Sequence, residues 1–133
     1  MSTTPRPPQI MPYLFYRDVP AALDFLTRAF GFKEEMRVGT PSGGIHGEAS
    51  FQGQLVMMGQ GVHERSLKTP KAVGAATMGV FVYLDDVDKH YEVAKAAGAE
   101  IVHPPKDAPY GRTYWANDPD GHPWFFTSPP KAG

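Results

Sequence analysis

One pattern occurs twice in this chain, at positions about 68 residues apart. The first copy runs Leu14-Phe15-Tyr16-Arg17-Asp18-Val19, then an amphipathic stretch, then Ala29-Phe30-Gly31-Phe32-Lys33-Glu34. The second runs Val82-Tyr83-Leu84-Asp85-Asp86-Val87, then another amphipathic stretch, then Ala97-Gly98-Ala99-Glu100-Ile101-Val102. Each copy spells an apolar strand, an acidic helix cap, a helix of about three turns, a glycine stop and a return strand. Such a unit cannot bury its apolar face alone, so two copies imply two modules packed together.

Around the repeat, the spacing predicts the remaining elements. Ile10 to Arg17 is nearly all apolar and suits a strand covered on both faces. Asp18 stands at the N-cap and Pro20 in the first turn, where a missing N–H costs nothing. Ala22, Leu23, Phe25, Leu26, Ala29 and Phe30 then recur at helical spacing up to Gly31. Lys33 to Val38 reads as a strand, Gly39 to Gly44 as a turn, and Ile45 to Phe51 with Gln54 to Met58 as a hairpin about Gln52-Gly53. In the second copy Val80 to Leu84 is a strand. Asp86 or Asp88 caps a helix to Gly98, with Val87, Tyr91, Ala94 and Ala97 on its apolar side. Glu100 to His103 is a strand broken by Pro104-Pro105. Arg112 to Ala116 and Pro123 to Thr127 flank a tight turn at Asn117-Asp118-Pro119-Asp120-Gly121. The expected class is α+β, as two βαβββ modules in one domain over residues 10–128. Module one spans 10–59, a connector 60–77 and module two 78–128. Residues 1–9 are expected to form a flexible arm and 129–133 a tail. The connector has no clean period and is either a linker or a flap.

Composition narrows the function classes. The 133 residues suit one domain, and 41% hydrophobic content supplies a sizeable core. A formal charge of −1, from 13 basic and 14 acidic residues, gives no case for nucleic acid or an anionic membrane. No apolar run approaches the length of about 18 residues needed to span a bilayer, and no basic-then-apolar leader opens the chain. The absence of cysteine excludes disulfides, thiolate metal sites and cysteine nucleophiles. A cytoplasmic location is expected.

The βαβββ–βαβββ order, the Asp-Val helix starts and the closing Tyr110-Gly111-Arg112…Asp118-Pro119-Asp120-Gly121-His122-Pro123-Trp124 resemble the vicinal oxygen chelate superfamily. That group includes glyoxalase I, extradiol dioxygenases, fosfomycin-modifying enzymes and bleomycin-resistance proteins, and the glyoxalase/bleomycin-resistance-like subgroup is the most similar. The resemblance spans roughly residues 10–128. It implies modules curled into half-barrels of a curved mixed sheet, helices outside, a concave cleft inside, and a homodimer. It also implies a divalent metal held by His, Gln or Glu side chains from four strands. Carried over position by position, those places fall on Met11, on the strand holding Val56, Met57 and Met58, on Gly79 (Met78 with a one-residue slip) and on Phe125. None of these side chains can bind a hard cation. A pocket without metal or cofactor is therefore expected, in place of lyase, transferase or dioxygenase chemistry.

Strand alternation identifies the residues that would line it. With Leu14 and Tyr16 facing a helix, Tyr13 and Phe15 face the other way; Phe81 and Tyr83 do the same opposite Val82 and Leu84, and Phe125 opposite Trp124 and Phe126. Met11, Met58, Gly79 and Trp115 are expected to join them, with Arg112 as the polar contact. Such a wall suits an aromatic or amphipathic small molecule, and the resemblance implies antibiotic sequestration as the most concrete version. The same rings could instead fill a closed core or a dimer seam. His46 and Glu48 lie two apart on a strand and so share a face. They are either an exposed polar face of the hairpin, a polar lip of the cleft, an acid–base pair, or two ligands of a rearranged metal site in a glyoxalase-like lyase, isomerase or dioxygenase. His63, Glu64 and His90 read as solvated surface, His103 as a loop residue and His122 as an organiser of its turn.

Overall fold

The computed structural model describes residues 10–62 and 67–130. The N-terminal arm, His63, Glu64 and the last three residues lie outside the described residues. The elements are β1(Tyr13–Tyr16), α1(Val19–Phe30), β2(Lys33–Gly39), β3(Ile45–Phe51), β4(Gln54–Gln60), α2(Pro70–Val73), β5(Val80–Tyr83), α3(Val87–Ala96), β6(Glu100–Ala108), β7(Gly111–Asn117) and β8(Pro123–Ser128). They form two four-stranded mixed sheets, ordered β1-β4-β3-β2 and β5-β8-β7-β6. In each sheet the first strand runs parallel to the last, and the remaining pairs are antiparallel. This is the duplicated βαβββ order in an α+β fold. The expected class is the one found: each module contributes one mixed sheet, and the two sheets do not close into a barrel. No helix among the described residues is long and apolar enough to cross a membrane.

Local chemistry accounts for the helices. The Asp18 carboxylate accepts from the Ala21 N–H at 3.1 Å, Pro20 sits in the first turn, and Gly31 ends α1 at φ 77°. Asp86, not Asp88, caps α3, accepting from the Lys89 N–H at 3.1 Å. α1 buries Val19, Ala22, Leu23, Phe25, Leu26, Ala29 and Phe30, whereas α3 buries only Val87 and Ala94. Gly47 on β3 permits the close approach of α1, since a Cβ there would stand 2.9 Å from Val19 and 3.1 Å from Leu23. The connector holds α2, which Thr69 caps through the Ala72 N–H.

Two expectations change for tertiary reasons. β6 does not break at Pro104-Pro105 but continues to Ala108. It is an edge strand, and the prolines fall where the register slips between His103 and Lys106, so their missing N–H groups leave no ladder bond unmade. His90, expected on the surface, is half-buried between the modules. Its Nε2 lies 2.8 Å from the Phe30 carbonyl, its Nδ1 2.6 Å from the Tyr114 hydroxyl, and its ring 4.2 Å from that of Phe126. A carbonyl only accepts, so Nε2 carries the hydrogen and Nδ1 accepts from Tyr114.

The Asp-Pro-Asp-Gly turn joins the modules. Asp118 is 3% exposed. Its carboxylate accepts from the Tyr16 hydroxyl at 2.6 Å, Trp124 Nε1 at 3.0 Å, the His122 N–H at 2.9 Å and the Asp120 N–H at 3.2 Å. Asp120 accepts from the Arg17 N–H at 2.8 Å, and His122 Nε2 donates to the Phe15 carbonyl at 2.7 Å. Burial pushes the Asp118 carboxyl above the usual carboxylate range, against the charge of His122 and the bonds from Tyr16 and Trp124, which pull it down.

Asp118→Ala leaves a buried hydroxyl and a buried indole N–H without an acceptor, and each orphaned group costs about 1–3 kcal/mol. A loss on the order of 3 kcal/mol is expected in urea denaturation, with Asp118→Asn losing less. Burial also lowers the pKa of His90. The unfolded chain therefore takes up that proton first, and the stability His90 contributes is complete above about pH 6.5 and lost as pH falls through its lowered value. Melting temperatures measured across that acidic window are expected to fall in the wild type and to fall less steeply in His90→Gln.

Candidate functional site

Each sheet has one face under its helix and one face turned away. The helix side holds the buried Leu14, Tyr16, Leu84, Tyr114, Trp124 and Phe126. The other side carries the rings that alternation places there. Tyr13 is 47% exposed, Phe81 47% and Tyr83 51%, although all three are large and largely apolar. Tyr13 lies 5.6 Å from Phe15 between ring centres, Phe81 lies 5.0 Å from Tyr83, and Trp115 lies 5.4 Å from Phe125. Phe81 and Phe125 are also ladder partners, so the second module presents a continuous aromatic surface. Met11, half-buried, precedes β1 at the edge of this side.

Two residues expected on this wall belong to the other side. Met58 is fully buried beneath α1, because register places it opposite Leu14 and Gly47. Its neighbour Met57 takes the outward position, level with Tyr13 and Glu48. Arg112 shares the parity of Tyr114 and faces α3, where its guanidinium meets Asp88 at 3.0 Å and Asp107 at 3.3 Å. Those two carboxylates hold its charge, Asp88 foremost, and keep it from the ring surface.

Gly79 has a specific role in the ring surface. A Cβ there would stand 2.7 Å from the Phe125 ring, so the ring of one family ligand position fills the space left by the other. A cavity of about 760 Å³ lies at one end of the first sheet, lined in part by Tyr13, Phe15, Ile45, Gly59, Val62 and Leu67. A smaller one, about 220 Å³, lies between the modules, with Pro12 to Phe15 on one wall and Thr77 to Val80 on the other.

On the first sheet this side carries a connected set of polar groups. His46 Nε2 is 2.9 Å from Glu48 Oε2, and His46 Nδ1 is 3.3 Å from the Tyr13 hydroxyl. The His46–Glu48 pair follows from alternation on β3. The link to Tyr13 does not, since β4 intervenes between their strands and sequence spacing carries no record of it.

The fold family implies a divalent ion, and the residues present do not fit one. Met11, Met57, Gly79 and Phe125 offer no hard donor, and His46 and Glu48 satisfy each other. No group of three or more His, Cys, Asp or Glu side chains converges among the described residues.

Comparison with known proteins agrees with the architecture. An uncharacterized protein of Mycobacterium bovis is 32% identical over 127 residues, covering 92% of this chain and 84% of the relative. Among solved structures, TioX from Micromonospora sp. ML1 is 34% identical, covers 95% of this chain and 99% of its own, and superposes with a TM-score of 0.70. The fosfomycin resistance protein FosX of Listeria monocytogenes, complexed with Mn(II) and sulfate, has a TM-score of 0.69 at 17% identity, covering 98% of this chain and 95% of its own; that likeness is one of fold alone. A family model matches residues 6–126, and on that match the chain belongs to the glyoxalase/bleomycin resistance protein/dioxygenase superfamily.

Proposed function

We propose that this protein is a small-molecule-binding member of its superfamily that works without a metal, taking an aromatic or amphipathic compound against the outward aromatic faces. The observation that carries this is the joint occurrence of half-exposed rings and donor-free ligand positions on the same faces. Full burial of a large apolar side chain is worth about 1.5–3 kcal/mol, much of which Tyr13, Phe81 and Tyr83 forgo while they stand in water. A flat guest would recover it and add stacking of about 0.5–1.5 kcal/mol per ring. On this view the activity is stoichiometric sequestration, with an antibiotic as its most concrete object, and the working form is a homodimer in which a second copy helps enclose the guest.

A second proposal, a metal-dependent lyase, isomerase or dioxygenase, has one observation in its favour: His46 and Glu48 do meet on the outward side. It needs at least one further donor, which a partner copy would have to bring.

Two measurements separate these proposals. Calorimetric titration with planar quinone-like and glycopeptide compounds is expected to give at least one dissociation constant in the micromolar range. Phe81→Ala is expected to weaken that binding about tenfold, and nothing tighter than millimolar across the panel would defeat the binding proposal. Protein purified without chelators is expected to carry no stoichiometric Zn, Ni, Mn or Fe. Stoichiometric metal that disappears in His46→Ala would establish the enzyme in its place.

A further inference from the structure

We propose that Glu48, His46 and Tyr13 form a polarised hydrogen-bond chain that makes the Tyr13 oxygen an acceptor in the wall of the 760 Å³ cavity, so that the site selects aromatic compounds bearing a hydroxyl over those whose oxygen is capped. This rests on the binding function proposed above and adds the group that the ligand must carry.

The direction of the chain follows from what each atom can do. An ionised carboxylate only accepts, so His46 Nε2, 2.9 Å from Glu48, carries the ring hydrogen. In a neutral imidazole the other nitrogen then holds a lone pair. Nδ1 accepts from Tyr13, and the phenolic hydrogen is committed to it at 3.3 Å. What the Tyr13 oxygen can still offer is its lone pairs. The opposite direction would set an imidazole lone pair against a carboxylate lone pair. The His46 and Glu48 side chains are only 22% and 15% exposed, so the sheet shelters the chain from competing water.

Gly59 makes the reach possible. Tyr13 is level with Met57 and Glu48 across the sheet, whereas His46 lies one step further along, level with Gly59. The Tyr13 ring leans diagonally across β4 into the row that Gly59 leaves empty. A Cβ at position 59 would stand 2.5 Å from the Tyr13 hydroxyl oxygen. A glycine inside a strand sacrifices sheet propensity and often marks a close approach; here the approaching group is the functional hydroxyl. Tyr13, Phe15 and Gly59 all line the cavity, so a ring resting on Phe15 would meet the Tyr13 oxygen at its edge.

The test uses 2-naphthol and 2-methoxynaphthalene, which share a ring system and differ in whether the oxygen can donate. Calorimetry at about pH 8 keeps the hydroxyl of a phenolic probe protonated. The wild type is expected to prefer 2-naphthol about tenfold, the ratio one hydrogen bond confers. Tyr13→Phe should bring that ratio to about one by weakening 2-naphthol. His46→Leu should bring it to about one differently: the Tyr13 hydroxyl, released from His46, can donate to the methoxy oxygen, so 2-methoxynaphthalene gains. A merely structural His46 would weaken both probes alike, and that result would overturn the proposal. Gly59→Ala, whose methyl group displaces the Tyr13 hydroxyl from His46, should also bring the ratio to about one. Nitrogen NMR of ring-labelled wild-type protein needs no variant; a His46 ring with its hydrogen on Nδ1 would also overturn the proposal. Equal binding of both probes to the wild type sinks this selectivity alone, whereas binding of neither sinks the proposed binding function at this cavity.

Discussion

The Asp118 carboxylate is the point on which the two modules depend. It takes a hydroxyl hydrogen from Tyr16 on β1 and an indole hydrogen from Trp124 on β8, two of the largest fully buried side chains. Burying a charge is unfavourable, and the raised pKa of Asp118 records that the desolvation is not fully offset. What the arrangement provides is placement. With its four acceptor bonds made only in one relative position of β1 and the closing turn, the carboxylate fixes how the first strand meets the second module. Asp120 and His122 reinforce the same contact by bonding the backbone of Arg17 and Phe15.

That junction divides the labour between the two helices unequally. α1 buries a broad apolar side and supplies Phe30, which packs within 5.3 Å of Trp124 and 4.7 Å of Phe126 in the other module. α3 is thinner and completes its contact with a polar residue, His90, which closes the carbonyl end of α1 through Phe30. The same histidine holds the Tyr114 hydroxyl, so a group on the weaker helix satisfies two partners on different elements. Burial of polar atoms is complete in this sense throughout, since no buried side-chain nitrogen or oxygen lacks a partner among the described residues.

With the helices taking one side of each sheet, the chemistry falls to the other. On that side Phe125 lies in the space a side chain at Gly79 would need. On the first sheet Tyr13, His46 and Glu48 are bonded to one another on that side.

Much of this was legible from local pattern. The caps at Asp18 and Asp86, the stop at Gly31 and the hairpin about Gln52-Gly53 depend on residues within a few positions of each other, and alternation set Tyr13, Phe15, Phe81 and Tyr83 on one side. Choosing Met57 over Met58 required the register of β4 against β1, and placing Arg112 required the parity of β7. The burial of His90, the strand running through Pro104-Pro105 and the meeting of Tyr13 with His46 required knowing which elements become neighbours. The sequence by itself determined the duplicated unit, its class and the alternation of side chains along each strand, because periodicity, capping and residue type act over short range. Tertiary structure alone decided which side chains complete one another across strands and modules, because those bonds join residues whose separation along the chain carries no trace of their distance in space.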